Sequence, residues 1–203
     1  MIKIFLDRFN ITSKRSIAEE GKDFYKNLPV ELFQLLDLFG GATFNNGLYR
    51  IHSFGSSVQW ALIIAEYFGQ YRNKIYPFGF DWMGRQFCLS TSSDILFMFD
   101  PATGESFELR QALTLLHDED FVNDTDDMLS INLFNKALTF YKIDNIGYNE
   151  CLGYKVPLFL GGKDDIENYE LQDIEVYWHI ENQLYNKVKD MPEGTKIGNI
   201  KIE

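Results

Sequence analysis

Cysteine is scarce in this sequence of 203 residues, which contains only Cys88 and Cys151. The two lie 63 positions apart in apolar surroundings, and no CxxC pair is present that would indicate a metal site or a redox motif. A disulfide between them is not expected, because disulfides are rare in a reducing compartment. We expect both residues to be buried free thiols, which behave as small apolar side chains.

Motifs for catalysis and cofactor binding are also missing. The three histidines, His52, His117 and His179, form no HExxH or HxxxH pair, which argues against a zinc site. Gly161-Gly162-Lys163 is not a phosphate loop, because Pro157 replaces the first glycine that such a loop requires. The sequence also contains no GxSxG elbow, the motif that would indicate a nucleophilic serine. The sequence therefore predicts no catalytic residue, no cofactor and no metal, with a small-molecule enzyme as a weaker alternative.

Long apolar runs are absent too. The longest uninterrupted run, Trp60 to Ala65, is far shorter than the roughly 20 residues that span a bilayer, so we expect no membrane helix. The first residues lack the apolar core of a secretory signal, because Asp7 and Arg8 interrupt it. The cytoplasm is the expected location.

Basic residues are outnumbered by acidic ones, 19 against 30, which gives a formal net charge of −11. This balance repels phosphate backbones and disfavours direct binding of nucleic acid. The same field would accelerate the encounter with a basic protein partner. A high acidic content that serves only solubility is the alternative.

Aromatic and apolar residues, in contrast, are plentiful: 45% of the sequence is hydrophobic, enough for a sizeable core. Helical and strand-like periods alternate along the chain without a flexible linker, which predicts an α+β fold: a central antiparallel sheet flanked by helices in a single compact body. Strands are predicted at 47–52, 75–82, 86–91, 94–99, 105–107 and 156–160. An Asp-Pro turn is predicted at Asp100 to Gly104.

The helices are predicted from apolar spacing and capping residues. One carries Leu32 to Phe39 and ends at Gly40-Gly41; another is capped by Ser56 or Ser57 and packs through Trp60 and Ile64. Further helices are expected through Leu109, Leu113 and Leu116, through Phe134 to Tyr141, and after an Asp173 cap, the last with Val176, Ile180, Leu184 and Val188. We expect Gly161-Gly162 to require a positive φ or a close approach of another segment, which a Cβ would obstruct.

Two acidic segments are the candidate contacts for a basic partner, and the first, Asp118 to Asp127, is expected to be a solvated, helix-capping loop. Tyr148 and Tyr154 lie in a glycine-containing connection and are the candidate exposed aromatic anchors. The acidic candidates are Asp118, Glu119, Asp120, Asp124, Asp126, Asp127, Asp164, Asp165, Glu167 and Glu170.

Three segments carry a resemblance to a known family. Gly147 to Gly162, Asp81 to Phe87 and Phe99 to Glu105 resemble the bacterial GAD-like family. The C-terminal half of that family occurs in type VI secretion immunity proteins, which protect a bacterium from a DNase effector. The shared motifs are turns, strand cores and glycine positions, and they include no catalytic residue.

The resemblance implies two halves packed together: a GAD-like N-terminal half at residues 1–115 and an immunity-type C-terminal half at 116–203. It also implies a function, the neutralisation of a cognate toxin by stoichiometric binding. The alternative of a different class is a general protein-interaction or regulatory module related to cell-wall regulator-like domains.

Overall fold

A seven-stranded antiparallel sheet organises the structure, a computed structural model that describes residues 2–16, 28–109, 112–192 and 195. The strands lie in the sheet in the order in which they occur in the chain. They are β1 (Ile11–Lys14), β2 (Ala42–Phe44), β3 (Tyr49–Ile51), β4 (Ile75–Asp81), β5 (Gln86–Ser90), β6 (Leu96–Asp100) and β7 (Glu105–Glu108). The predicted α+β class with a central antiparallel sheet is confirmed.

Three helices come from the N-terminal part of the chain: α1 (Lys3–Arg8), α2 (Val30–Phe39) and α3 (Phe54–Tyr67). The prediction that Ser56 or Ser57 caps α3 was wrong by one turn. Ser53 is the cap: its hydroxyl accepts a hydrogen bond from the Ser56 N–H, and the Ser56 hydroxyl accepts one from the Ser53 N–H. Serine at both positions therefore forms a capping box, and the local sequence fixes where α3 begins.

The turn between β6 and β7 agrees with its prediction. The Asp100 carboxylate accepts a hydrogen bond from the Ala102 N–H at 2.9 Å, and Gly104 adopts a φ of 71°. Glycine is favoured there because other residues are strained at positive φ. The turn brings β7 back onto β6, with Phe107 opposite Met98.

The region after β7 differs from the prediction. Leu109 lies outside any helix, and its N–H continues the β6–β7 pairing by donating to the Leu96 carbonyl oxygen. The acidic segment 118–127 was expected to be a loop but is mostly helical. The segment overlaps a π-helical turn (Leu116–Asp120), α5 (Phe121–Asn123) and α6 (Thr125–Leu129). Helix α4 (Leu113–Leu115) precedes it, and α7 (Ile131–Tyr141) follows as expected. Buried Leu116, Phe121 and Leu129 explain the difference, because packing of an apolar face outweighs local polarity.

A two-stranded sheet and a last helix complete the structure: β8 (Glu150–Tyr154), β9 (Tyr169–Asp173) and α8 (Ile174–Val188). The buried strand predicted at 156–160 was wrong. The strand lies earlier, at β8, and Val156 is 47% exposed, followed by a 3₁₀ turn at Leu158–Leu160. Pro157 cannot donate to a ladder, which is consistent with an end of pairing before it.

Helix α8 begins at its predicted cap, because the Asp173 carboxylate accepts hydrogen bonds from the N–H groups of Glu175 and Val176. Its buried face, however, was predicted wrongly, since Val176 is 53% exposed. The residues that α8 buries are Ile174, Tyr177, Trp178 and Glu181.

Two apolar clusters form the core. The larger packs α1, the sheet and the helices after β7 around Tyr49, Phe87 and Phe121. The second packs α3 and α8 around Trp60 and Trp178. Both cysteines are buried and free, as predicted, and in the part of the chain that the structure describes no helix is long and apolar enough to cross a membrane.

Candidate partner-binding surface

Buried Arg50 on β3 joins the sheet to the loop before β8. Its guanidinium donates hydrogen bonds to the carbonyl oxygens of Gly147 (2.7 Å), Glu150 (2.5 Å) and Asp81 (2.5 Å), and it stacks over the Phe80 ring at 4.6 Å. Burial lowers the pKa of Arg50 to about 10, which still leaves it charged at neutral pH. Three carbonyl dipoles therefore hold a buried cation where the C-terminal part meets the sheet.

The Asp81–Arg85 turn makes a second junction. The Arg85 Nε lies 2.5 Å from the Asp81 carboxylate, and the Arg85 guanidinium also donates to the Met128 carbonyl oxygen in α6 at 2.9 Å. The Trp82 indole N–H donates to the carbonyl oxygen of Leu129 at 2.8 Å. Sequence reasoning noted this segment for its resemblance and as the link between two predicted strands, but did not predict that it holds α6 against the end of β4.

The first acidic candidates, at 118–120, serve the fold. The Asp118 carboxylate accepts a hydrogen bond from the Phe5 N–H at 2.9 Å and so satisfies the N-terminal turn of α1. Asp120 is only 8% exposed, whereas Glu119 is exposed. Asp118 and Asp120 are therefore poor contacts for a partner.

Asp124, Asp126 and Asp127 are exposed at the N-terminal end of α7. The Asp126 carboxylate accepts a hydrogen bond from the Asn132 N–H at 2.9 Å, and this bond lowers its pKa. Asp124 precedes α6 but does not cap it with its side chain. These three carboxylates form an exposed acidic group, which we call the α6 acidic group.

The second acidic segment lies at the other end of α7. Asp164, Asp165, Glu167 and Glu170 are exposed, and we call them the hairpin acidic group because they precede or belong to β9. The Tyr141 hydroxyl, at the last residue of α7, donates to the Ile166 carbonyl oxygen at 2.7 Å and to that of Tyr169 at 2.5 Å. The two acidic groups are thus separated by one helix of 11 residues, about 16 Å long.

Between the two acidic groups, α7 presents an exposed face. Phe140 is 50% exposed near the C-terminal end of the helix. Asn132, Asn135, Lys136 and Thr139 are exposed along the same helix. Sequence reasoning did not single out Phe140, although a large aromatic residue at an exposed helical position is a usual signal for an interface.

The two tyrosines proposed as exposed anchors behave differently. Tyr154 is 5% exposed and its hydroxyl donates to the Asp164 carboxylate at 2.7 Å, so its prediction as an exposed anchor was wrong. Tyr154 faces inward because β8 packs it against Tyr169, with ring centroids 4.6 Å apart. Tyr148 is partly buried and donates to the Ile51 carbonyl oxygen at 2.9 Å.

Tyr148 lines a groove of about 420 Å³ between α3, the residues after β1, the loop before β8 and the start of α8. Arg15 lies over its ring at 5.0 Å and donates to Asn149 at 2.8 Å. Trp60 and Phe80 line the same groove. None of the residues of the two acidic groups lines this groove.

The buried histidines and cysteines have the properties of structural residues. The His117 Nδ1 donates to the Leu113 carbonyl oxygen at 2.8 Å, so Nε2 accepts from the Tyr49 hydroxyl at 3.1 Å. Burial lowers the pKa of His117 to about 4 and that of His52 to about 3. Burial also raises the pKa of both thiols, which keeps them protonated and poorly nucleophilic. Within the described residues, no three His, Cys, Asp or Glu side chains form a group that could hold a metal ion.

Comparison with known proteins bears on the C-terminal part of the chain. Residues 107–185, which include both acidic groups, match the model of a family described as T6SS immunity protein Tdi1, C-terminal, where T6SS denotes the type VI secretion system. No curated protein matches the sequence significantly.

A solved structure has the same fold. The crystal structure of Atu4351 from Agrobacterium tumefaciens is similar with a TM-score of 0.69 and 15% sequence identity, over 90% of this chain and 89% of that chain. At this level of identity the likeness shows a shared fold alone.

Proposed function

We propose that this protein, whose residues 107–185 form a type VI secretion immunity domain of the Tdi1 C-terminal family, binds a cognate toxin and neutralises it. The toxin would be a nuclease effector, and the inhibition would be stoichiometric occlusion without catalytic turnover. Such a nuclease attacks nucleic acid inside the cell, so the complex would form in the cytoplasm.

The exposed acidic groups at both ends of α7 are the observation that carries the proposed contact surface. A nuclease needs a basic cleft to hold a phosphate backbone. Seven exposed carboxylates in the matched domain would complement such a cleft, and the net charge of −11 would steer the encounter. The surface consists of Asp124, Asp126, Asp127, Asp164, Asp165, Glu167 and Glu170, with Glu119 and Tyr148 outside it.

The division of the chain at about residue 115 is part of the same proposal. Residues 1–115 would supply the sheet as a scaffold, and residues 116–203 would present the contact surface. The hydrogen bonds of Arg50 and Arg85 support this division of roles, because Arg50 lies in β3, Arg85 lies in the turn between β4 and β5, and both donate to main-chain carbonyls of the later segment.

The test is association with the toxin encoded beside this protein's gene. Asp124, Asp126, Asp127 and Asp165 are replaced together by asparagine, which keeps the oxygen that accepts from Asn132. We expect association to slow about tenfold or more at low salt, with a smaller effect on dissociation, because long-range charge acts mainly on the encounter. Stopped-flow fluorescence at two ionic strengths measures both rates.

A charge-matched control replaces exposed acids of the N-terminal part, Glu31, Asp37, Glu105 and Glu108, by glutamine or asparagine. The control should associate at nearly the wild-type rate. If both variants slow equally, only net charge matters and the proposed surface is wrong. When this protein is titrated into the toxin, the toxin's activity should be fully inhibited at a ratio of one to one. If this protein neither binds nor inhibits the toxin, the proposed function itself is rejected.

A further inference from the structure

Glu181 is a carboxyl group buried in the middle of α8. Its residue is 1% exposed, and its Oε2 atom has no hydrogen-bond partner. In the described part of the chain, no ion pair joins it to a cation. Unpaired carboxylates are among the most costly groups to bury, whereas a protonated carboxyl is tolerated far better.

The ionisable groups that interact electrostatically with Glu181 cannot compensate a negative charge. They are Asp100 at the end of β6, the hydroxyl of Tyr67 on α3, the thiol of Cys151 on β8, and Tyr177 on α8 itself. Three of these are neutral at physiological pH, and Asp100 is a second acid. The Tyr67 hydroxyl is already engaged, since it donates to the Pro101 carbonyl oxygen at 2.9 Å.

Anchors on either side of Glu181 hold α8 in place. One turn earlier, the Trp178 indole N–H donates to the Gly84 carbonyl oxygen at 2.8 Å and its ring meets Trp60 edge-on. One turn later, the Tyr185 ring packs against Tyr67 with centroids 5.3 Å apart. The first anchor includes a buried hydrogen bond, and the second consists of ring contacts, so the helix after Glu181 is the weaker part.

We propose that Glu181 is a proton-dependent latch of α8: the carboxyl carries a proton while the helix is docked, and its ionisation releases the segment from Glu181 to Val188. The proton goes to solvent, and the freed carboxylate gains hydration. Trp178 stays docked and acts as the hinge point. The latch is a property of the fold and does not depend on the identity of the toxin.

The direction of the effect follows from the burial. Desolvation, with a smaller contribution from Asp100, raises the pKa of Glu181 to about 9. The docked helix therefore keeps its proton at neutral pH and loses it between about pH 8 and 10. Since the folded state binds more protons than the unfolded state above about pH 4.5, docking of α8 weakens as the pH rises.

The experiment compares hydrogen exchange in the wild type, Glu181→Gln and the exposed control Glu108→Gln at pH 7.5 and 10, with labelling times scaled to the intrinsic rates. In the wild type and the control, protection of residues 181–188 should fall at least about tenfold, while α7 changes little. Glu181→Gln has no carboxyl proton at this position, so the hydrogen-exchange protection of residues 181–188 should fall less than about twofold. Equal losses in all three proteins, or no loss in the wild type, would overturn the latch.

A direct titration completes the test. The side-chain carboxyl carbon that disappears from the ¹³C spectrum in Glu181→Gln should titrate between about pH 8 and 10 in the wild type. A carboxyl that is already ionised at pH 7 would refute the proposal. So would a carboxyl that titrates as expected without any change in the protection of α8.

Discussion

At the scale of single residues, His52 and His117 are held in the neutral form. Both rings are fully buried, and both nitrogens of each ring take part in hydrogen bonds. In each case burial is the largest cause of the lowered pKa. Both rings pack among aromatic side chains of the core; the centroid of the His117 ring, for example, lies 5.3 Å from that of Phe121.

These histidines should make the protein sensitive to acid. Their folded pKa values, about 3 and about 4, lie below the unfolded value of about 6.5, so the unfolded state binds more protons as the pH falls below 6.5. Each should remove about 1.4 kcal/mol of unfolding free energy per pH unit between pH 6.5 and about 4. Glu181 acts in the opposite sense above its unfolded pKa of about 4.5, so stability should be greatest near pH 6.5.

Nuclear magnetic resonance and urea unfolding check this expectation. The ring signals of His52 and His117 should not shift between pH 8 and pH 5, and the unfolding free energy should fall on both sides of pH 6.5. Titration of either ring near pH 6.5 would show that it is not held neutral by burial.

At the scale of elements, the connection between β8 and β9 depends on two adjacent glycines for different reasons. Gly161 has a φ of 83° with open space around the position of a Cβ. At Gly162 a Cβ would lie 1.9 Å from the Val156 carbonyl oxygen and 2.8 Å from that of Pro157. The sequence-based expectation of a positive φ or a close approach is confirmed, and each glycine accounts for one of the two.

Alanine substitutions should separate the two causes. Gly161→Ala should cost about 1 kcal/mol, because only backbone strain opposes it. Gly162→Ala should cost more, about 2 to 4 kcal/mol, because backbone atoms must move. Gly69→Ala is the control, since its Cβ meets nothing within 4 Å and its φ is not positive. Thermal unfolding should show the smallest loss of stability for Gly69→Ala, a larger loss for Gly161→Ala and the largest for Gly162→Ala. Equal melting temperatures for the three variants would mean that the connection is not closely packed.

At the scale of the whole molecule, two arginines join the sheet to the segment that matches the immunity-protein family model. Arg50 ties the loop before β8 to the sheet, and Arg85 ties α6 to the end of β4. These contacts fix α6 and the loop before β8 against the sheet. A surface that is fixed before binding loses less conformational entropy when a partner docks.

The Arg50→Lys substitution tests this junction. An ammonium group cannot reach three carbonyl oxygens in the planar geometry of the guanidinium, so buried acceptors are left unpaired. We expect the unfolding free energy to fall by about 2 to 4 kcal/mol, measured with urea. Arg72→Lys, at an exposed position, should change it by less than about 0.5 kcal/mol. If the two variants unfold alike, the junction does not depend on these hydrogen bonds.

The sequence alone determined the class of fold and most element positions. Strands β4, β5 and β6 carry dense aromatic and branched residues, and Pro101 and Gly104 mark the turn after them. Such signals are local, because a strand period or a turn residue acts on its own backbone. The buried free thiols and the start of α8 at Asp173 were predictable for the same reason.

Only the tertiary structure decided which polar residues are buried and which surface is presented. Asp118 and Tyr154 look exposed in sequence, yet Asp118 bonds to α1 and Tyr154 packs inside β8 and β9. The burial of Glu181 could have been predicted from the sequence, because Glu181 follows Tyr177 and Trp178 at helical spacing on one face of α8. No comparable local pattern predicts that Arg50 is buried. Burial depends on segments distant in the chain, and the energy of packing them together outweighs the local preference of a charged residue for water.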